Sequence, residues 1–110
     1  MADLTVNSPA RAANAVSNEA ASAGGDAFAN TGRELVLLTH TNGAGATETL
    51  TVAMQKTIDG EDVPDKTVSI GAGETHLLGP FPTGLYNDVD GKVQLSYSSE
   101  TDLELLVIQP

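Results

Sequence analysis

Cysteine and tryptophan are absent from the 110 residues, and the only aromatics are two Phe and two Tyr. Without cysteine there is no disulfide frame, no thiolate zinc site and no cysteine nucleophile. With so few rings, a core has to be assembled from Leu, Val, Ile and Ala, and it will be thin. Basic residues are scarce too: five Lys and Arg stand against fifteen Asp and Glu, a formal charge of −10. That balance argues against direct binding to nucleic acid or to an anionic membrane, and favours solubility and basic partners. No stretch approaches the roughly 20 apolar residues of a membrane helix. The start, MADLTVNSPARAAN, lacks the continuous apolar segment of a secretory signal. The expectation is a soluble protein made in the cytoplasm.

The length allows one hydrophobic core and is too short for two. Composition divides the chain at about residue 33. Residues 1–33 are rich in Ala, Asn and Ser, with Leu4 and Val6 as an early alternating pair and Phe28 as the one large anchor. Ala12 to Ala23 has the length of a helix, but Asn14, Ser17, Asn18 and Ser22 dilute it, and such a helix would need a partner. An extended arm that pairs with or covers a neighbouring subunit fits this segment; a partly disordered tail fits nearly as well.

Residues 34–110 are the body. Leu35 to Leu38 is a short apolar run bounded by turn residues, the pattern of a central strand. Leu50, Val52 and Met54 alternate with Thr49, Thr51 and Ala53, and Val68 and Ile70 begin another alternation. Asp59 and Gly60 predict a tight turn or a bulged loop. Glu74 to Leu78 is a further strand. Then Pro80 and Pro82 remove backbone donors and force an ordered corner at GPFP, and Asn87, Asp88, Asp90 and Gly91 turn the chain again. Val93, Leu95 and Tyr97 alternate with polar neighbours. In the final strand, Asp102 to Gln109, Leu103, Leu105 and Val107 take one face and Glu104, Leu106 and Ile108 the other. Being apolar on both faces, it should lie centrally or against another subunit. The fold class is all-β: an antiparallel β-sandwich, jelly-roll-like, of about six to eight strands with an N-terminal extended arm.

No arrangement of residues specifies a reaction. Asp88, Asp90 and Gly91 have the D-x-D-G look of a calcium loop, but Ser99 stands where that loop needs its final Glu, and turn chemistry accounts for the acids more simply. Asp59, Glu61, Asp62 and Asp65 read as a solvated acidic loop. His40 and His76, the only histidines, lack a third zinc ligand and are expected as surface or interface side chains. No nucleophile elbow, Walker motif or GxGxxG followed by a helix is present. Phe81, Leu85 and Tyr86 either plug one end of the sandwich or anchor a neighbouring protein; Phe81 fits the core better, and Tyr86 fits both. No cofactor or metal is called for.

The combination of GAGE at Gly71 to Glu74, GPFP at Gly79 to Pro82, the turn from Tyr86 to Gly91, the Val93 to Tyr97 strand and the apolar strand Leu103 to Ile108 resembles small head decoration, or cement, proteins of tailed bacteriophages and prophages. The similarity covers about residues 33 to 110, and the arm adds a G-D-x-F-like element at Gly25, Asp26 and Phe28. The resemblance implies a β-sandwich bound to the outside of an icosahedral capsid, commonly as a homotrimer at or near local threefold positions, clamping adjacent major capsid protein subunits. It implies a virion structural protein without catalysis. Residues expected to make contacts are Leu4, Val6 and Phe28 in the arm, Phe81, Leu85 and Tyr86 at the corner, and Leu106 and Ile108 in the last strand. Two alternatives stand beside it: a neck, tail or head-fibre base component with the same small sandwich, and a carbohydrate-binding or enzymatic β module. The shortage of aromatic platforms counts against the latter.

Overall fold

The computed structural model describes residues 2–9 and 16–110. In chain order the strands are β1 (Ala2–Asp3), β2 (Val6–Asn7), β3 (Glu19–Ala20), β4 (Asp26–Ala29), β5 (Leu35–His40), β6 (Glu48–Val52), β7 (Thr57–Ile58), β8 (Glu61–Asp62), β9 (Lys66–Ile70), β10 (Thr75–Leu78), β11 (Lys92–Tyr97) and β12 (Leu103–Ile108). A single helical turn, α1 (Thr83–Tyr86), precedes β11. One five-stranded sheet has the order β1-β4-β11-β6-β9. The other runs β10-β5-β12-β2, with β3 also on β12, and β7 and β8 pair separately. Most pairings are antiparallel; β1 on β4 and β2 on β12 are parallel.

The alternation in each strand decides which side chains meet between the sheets. Val36 and Leu38 of β5 lie in register with Val107 and Leu105 of β12, and all four are buried. Phe28, Leu50, Val52, Ile70, Val93 and Leu95 face them from the first sheet. Burying each large aliphatic side chain contributes about 1.5–3 kcal/mol. The all-β sandwich expected from the sequence is therefore the fold. At the β7–β8 turn Asp59 and Gly60 both have positive φ, 53° and 79°. This is the combination a two-residue hairpin turn requires, and Asp-Gly is suited to it.

The N-terminal segment departs from the expected arm. Its described residues are built into both sheets: β4 sits between β1 and β11, and β2 and β3 lie along β12. The physical reason is edge satisfaction. β11 and β12 would otherwise each expose a row of unpaired backbone groups and part of an apolar face. The helix considered over Ala12 to Ala23 falls partly outside the described residues, and residues 16–23 hold β3 and no helix.

The proline corner closes one end of the sandwich. Phe28 and Phe81 have ring centroids 5.9 Å apart, and Phe81 meets Tyr86 edge-on at 5.5 Å. Three of the four aromatics thus form one cluster. Buried Asn30 fastens the corner to the first sheet: its Nδ2 donates to the Phe81 carbonyl at 2.9 Å and to Asn87 Oδ1 at 2.7 Å, while Asn87 Nδ2 donates to the Asn30 carbonyl at 3.0 Å. Gly79 has φ 114°, and a Cβ there would lie 2.8 Å from the Glu34 carbonyl oxygen, so the corner needs glycine.

Candidate interaction surface

The residues expected to make contacts separate into two groups. Phe28 is fully enclosed by its own chain, and Leu4 and Phe81 are nearly so. They leave almost no side-chain surface for a neighbour, so their packing serves the chain's own core. Val6 and Tyr86 are partly buried and pack against the same core. Leu85 is half-buried, and its carbonyl accepts from Gln55 N–H at 2.8 Å. Leu106 and Ile108 instead lie on the outer face of β12, where burial alternates with the enclosed Leu103, Leu105 and Val107.

Register extends that outer face across three strands. Leu106 pairs with Leu37 of β5, and Leu37 pairs on its other side with Leu77 of β10. Ile108 pairs with Leu35 in the adjoining row. Residues paired across strands point to the same side of a sheet. Five aliphatic side chains therefore share one face, four of them half-buried and Leu77 62% exposed. The next row, Thr75, Thr39 and Glu104, is polar and bears one acid. Leu35, Leu37 and Leu77 were not singled out as contact residues in the sequence. Their signal was there in Leu35 to Leu38, since a run apolar at every position must turn half its members outward.

Asp88 and His40 serve the fold. Asp88 Oδ1 accepts from the backbone N–H groups of Asp90 and Lys92 at 2.9 and 3.0 Å, and Oδ2 accepts from Gln94 Nε2. The Gln94 and Lys92 bonds together hold its carboxyl below the usual aspartate range. The acidic turn is thus held by its own carboxylate. Among the described residues no group of three or more His, Asp or Glu is placed to hold a metal ion. His40 corrects the surface expectation: it is buried, its Nδ1 accepts from Asn42 N–H at 3.3 Å, and Nε2 then carries the hydrogen donated to the Ala46 carbonyl at 2.8 Å. It staples the β5–β6 connection. His76 is half-buried and meets Glu74 at 3.2 Å. An open groove lined by Ile58, Asp59, Glu61, Val63 and Pro64 lies at the β7–β8 hairpin.

Two buried carboxylates escaped sequence reasoning. Glu34 Oε1 accepts from Thr31 N–H at 2.8 Å, Thr31 Oγ1 at 2.9 Å and Arg33 N–H at 3.2 Å, and Gln109 Nε2 reaches Oε2 at 3.2 Å. Burial pushes this carboxyl up, but the bonds from Thr31 and Arg33 outweigh it and hold it below the ordinary glutamate value. Asp26 Oδ2 accepts from Tyr97 Oη at 2.6 Å and Ser22 N–H at 3.0 Å, while Oδ1 is buried without a partner. Burial, then the bond to Asp26 and its charge, push the Tyr97 hydroxyl well above the usual phenol range.

Comparison with protein-family models, with curated proteins and with solved structures gives no match. Among the described residues no helix is long and apolar enough to cross a membrane.

Proposed function

We propose that this protein is a capsid decoration protein: a non-enzymatic virion component that binds the outer surface of an icosahedral phage head and stabilises contacts between major capsid protein subunits. One observation carries the reading, the outer aliphatic face formed by Leu35, Leu37, Leu77, Leu106 and Ile108 on a chain of net charge −10. A face of this kind is suited to contact, because it offers apolar area while the rest of the surface keeps the protein soluble. The resemblance of residues 33 to 110 to decoration proteins supplies the partner. Many copies, each burying this face across a seam between shell subunits, raise the free energy of opening the seam against packaged DNA.

The test is to purify particles and count the chain against the major capsid protein. Decoration requires a copy number of the same order as the shell subunits, spread over the head. A few copies confined to one vertex would make it a neck, tail or head-fibre base component instead. Leu37→Lys combined with Leu106→Lys should leave the strand signal in circular dichroism intact and abolish binding to undecorated heads. Undiminished binding would remove this face from the reading.

A further inference from the structure

We propose that β10 is a self-pairing edge, through which two copies of this chain join their second sheets into one continuous sheet about a twofold axis at His76. His40 N–H donates to the Glu74 carbonyl at 2.9 Å, and Thr41 N–H donates to the Asp102 carbonyl at 2.8 Å. By antiparallel alternation, His76 and Leu78 then bond inward to β5, and the N–H and C=O of Thr75 and Leu77 point away from the sheet. Among the described residues no backbone group meets them. At the opposite side of this sheet the central strand β12 is already covered by β2 and β3.

A second β10, antiparallel and centred on His76, sets Thr75 of each copy against Leu77 of the other. Each free N–H then meets a free C=O, so every outward group of the strand is satisfied. The side chains agree with the pairing. Thr75 to Leu78 carries no Lys, Arg, Asp, Glu or Pro, the residues that usually protect an edge. Leu77, 62% exposed, would lie beside the Thr75 methyl of the other copy, where the Leu106–Leu37–Leu77 row of one chain meets the Thr75–Thr39–Glu104 row of the other. A flexible peptide is the weaker occupant, because ordering it costs more than so short a strand returns, whereas a second β10 is already ordered by its own sheet. The pair is closed by a twofold axis, unlike the trimer that the resemblance implies, and it stands or falls independently of capsid binding.

Sedimentation equilibrium and a single-cysteine cross-link test it. The wild-type chain should approach twice the monomer mass with rising concentration, and added salt should strengthen the pair by screening two chains of charge −10. Leu77→Pro deletes an N–H that points away from β5, so the monomer should stay folded while pairing weakens about thirtyfold, the loss of two hydrogen bonds per dimer. In His76→Cys the only cysteines are the two at the axis, at a position where paired Cα atoms lie about 4.5 Å apart, and oxidation should give a covalent dimer. A monomer or trimer mass at all soluble concentrations, a dimer indifferent to Leu77→Pro, or no cross-link would each overturn the proposal.

Discussion

Glu34 keeps its charge inside the fold because Thr31, Arg33 and Gln109 all donate to it. Its folded pKa lies below the ordinary glutamate value, so the folded chain binds this proton more weakly than the unfolded one. The stabilisation is therefore fully present above the unfolded pKa, about 4.3, and is lost as pH falls from there through the lowered folded pKa. Urea midpoints measured from pH 7 downward should show this loss, and Glu34→Gln should be less stable at pH 7 with a flatter acid dependence. Tyr97 behaves in the opposite direction. Its raised pKa favours the neutral phenol in the fold, so its contribution is complete below pH about 10 and declines above it. Phenol absorbance followed against pH should show this ring ionising above the range of a free tyrosine. Tyr97→Phe leaves buried Asp26 with the Ser22 N–H as its remaining donor, and should cost about 1–3 kcal/mol in thermal or urea unfolding.

At the scale of elements, β4 is the test of how the N-terminal segment is used. Phe28 packs between the sheets and against Phe81, so Phe28→Ala should lower stability by about 3–5 kcal/mol by chemical denaturation. An arm held only by a neighbour would lose almost nothing in the isolated chain. The elements most legible in the sequence were those whose alternation is carried by aliphatics on the inner face: β5, β6, β11 and β12 emerge within two residues of their expected spans. The Asp59–Gly60 turn was legible because its chemistry is local. What stayed hidden depended on partners distant in sequence. In β4 an acid occupies an inward position, and DAFA gives no strand signal until Tyr97 and Ser22 are there to receive Asp26. Asn30 reads as a turn residue, yet its amide reaches Phe81 and Asn87. His40 looks like a strand-end surface residue until the Asn42 to Ala46 connection folds back over it. Of the outer aliphatic face, Leu106 and Ile108 were visible from the both-sided last strand; Leu35, Leu37 and Leu77 required the register.

For the whole molecule, the proposed role makes stability of the particle the quantity to measure. Heads stripped of this chain should release DNA at a lower temperature than decorated heads, and adding back the purified protein should restore the difference. The isolated chain carries a further consequence in how β12 is bordered. Its neighbour β2 comes from the other end of the sequence: Val6 stands beside Val107, and Asn7 Nδ2 donates to the Val107 carbonyl across 100 intervening steps of chain. Closing so long a loop has to precede the two short pairings that hold it, which places the event late on the route to the native state. Refolding should accordingly be slow for a chain of this size, in the millisecond-to-second range of β-sandwiches, and amide exchange should find Val6 and Asn7 opening well before Leu37 and Leu106, whose N–H groups bond each other's strands in the central β5–β12 ladder.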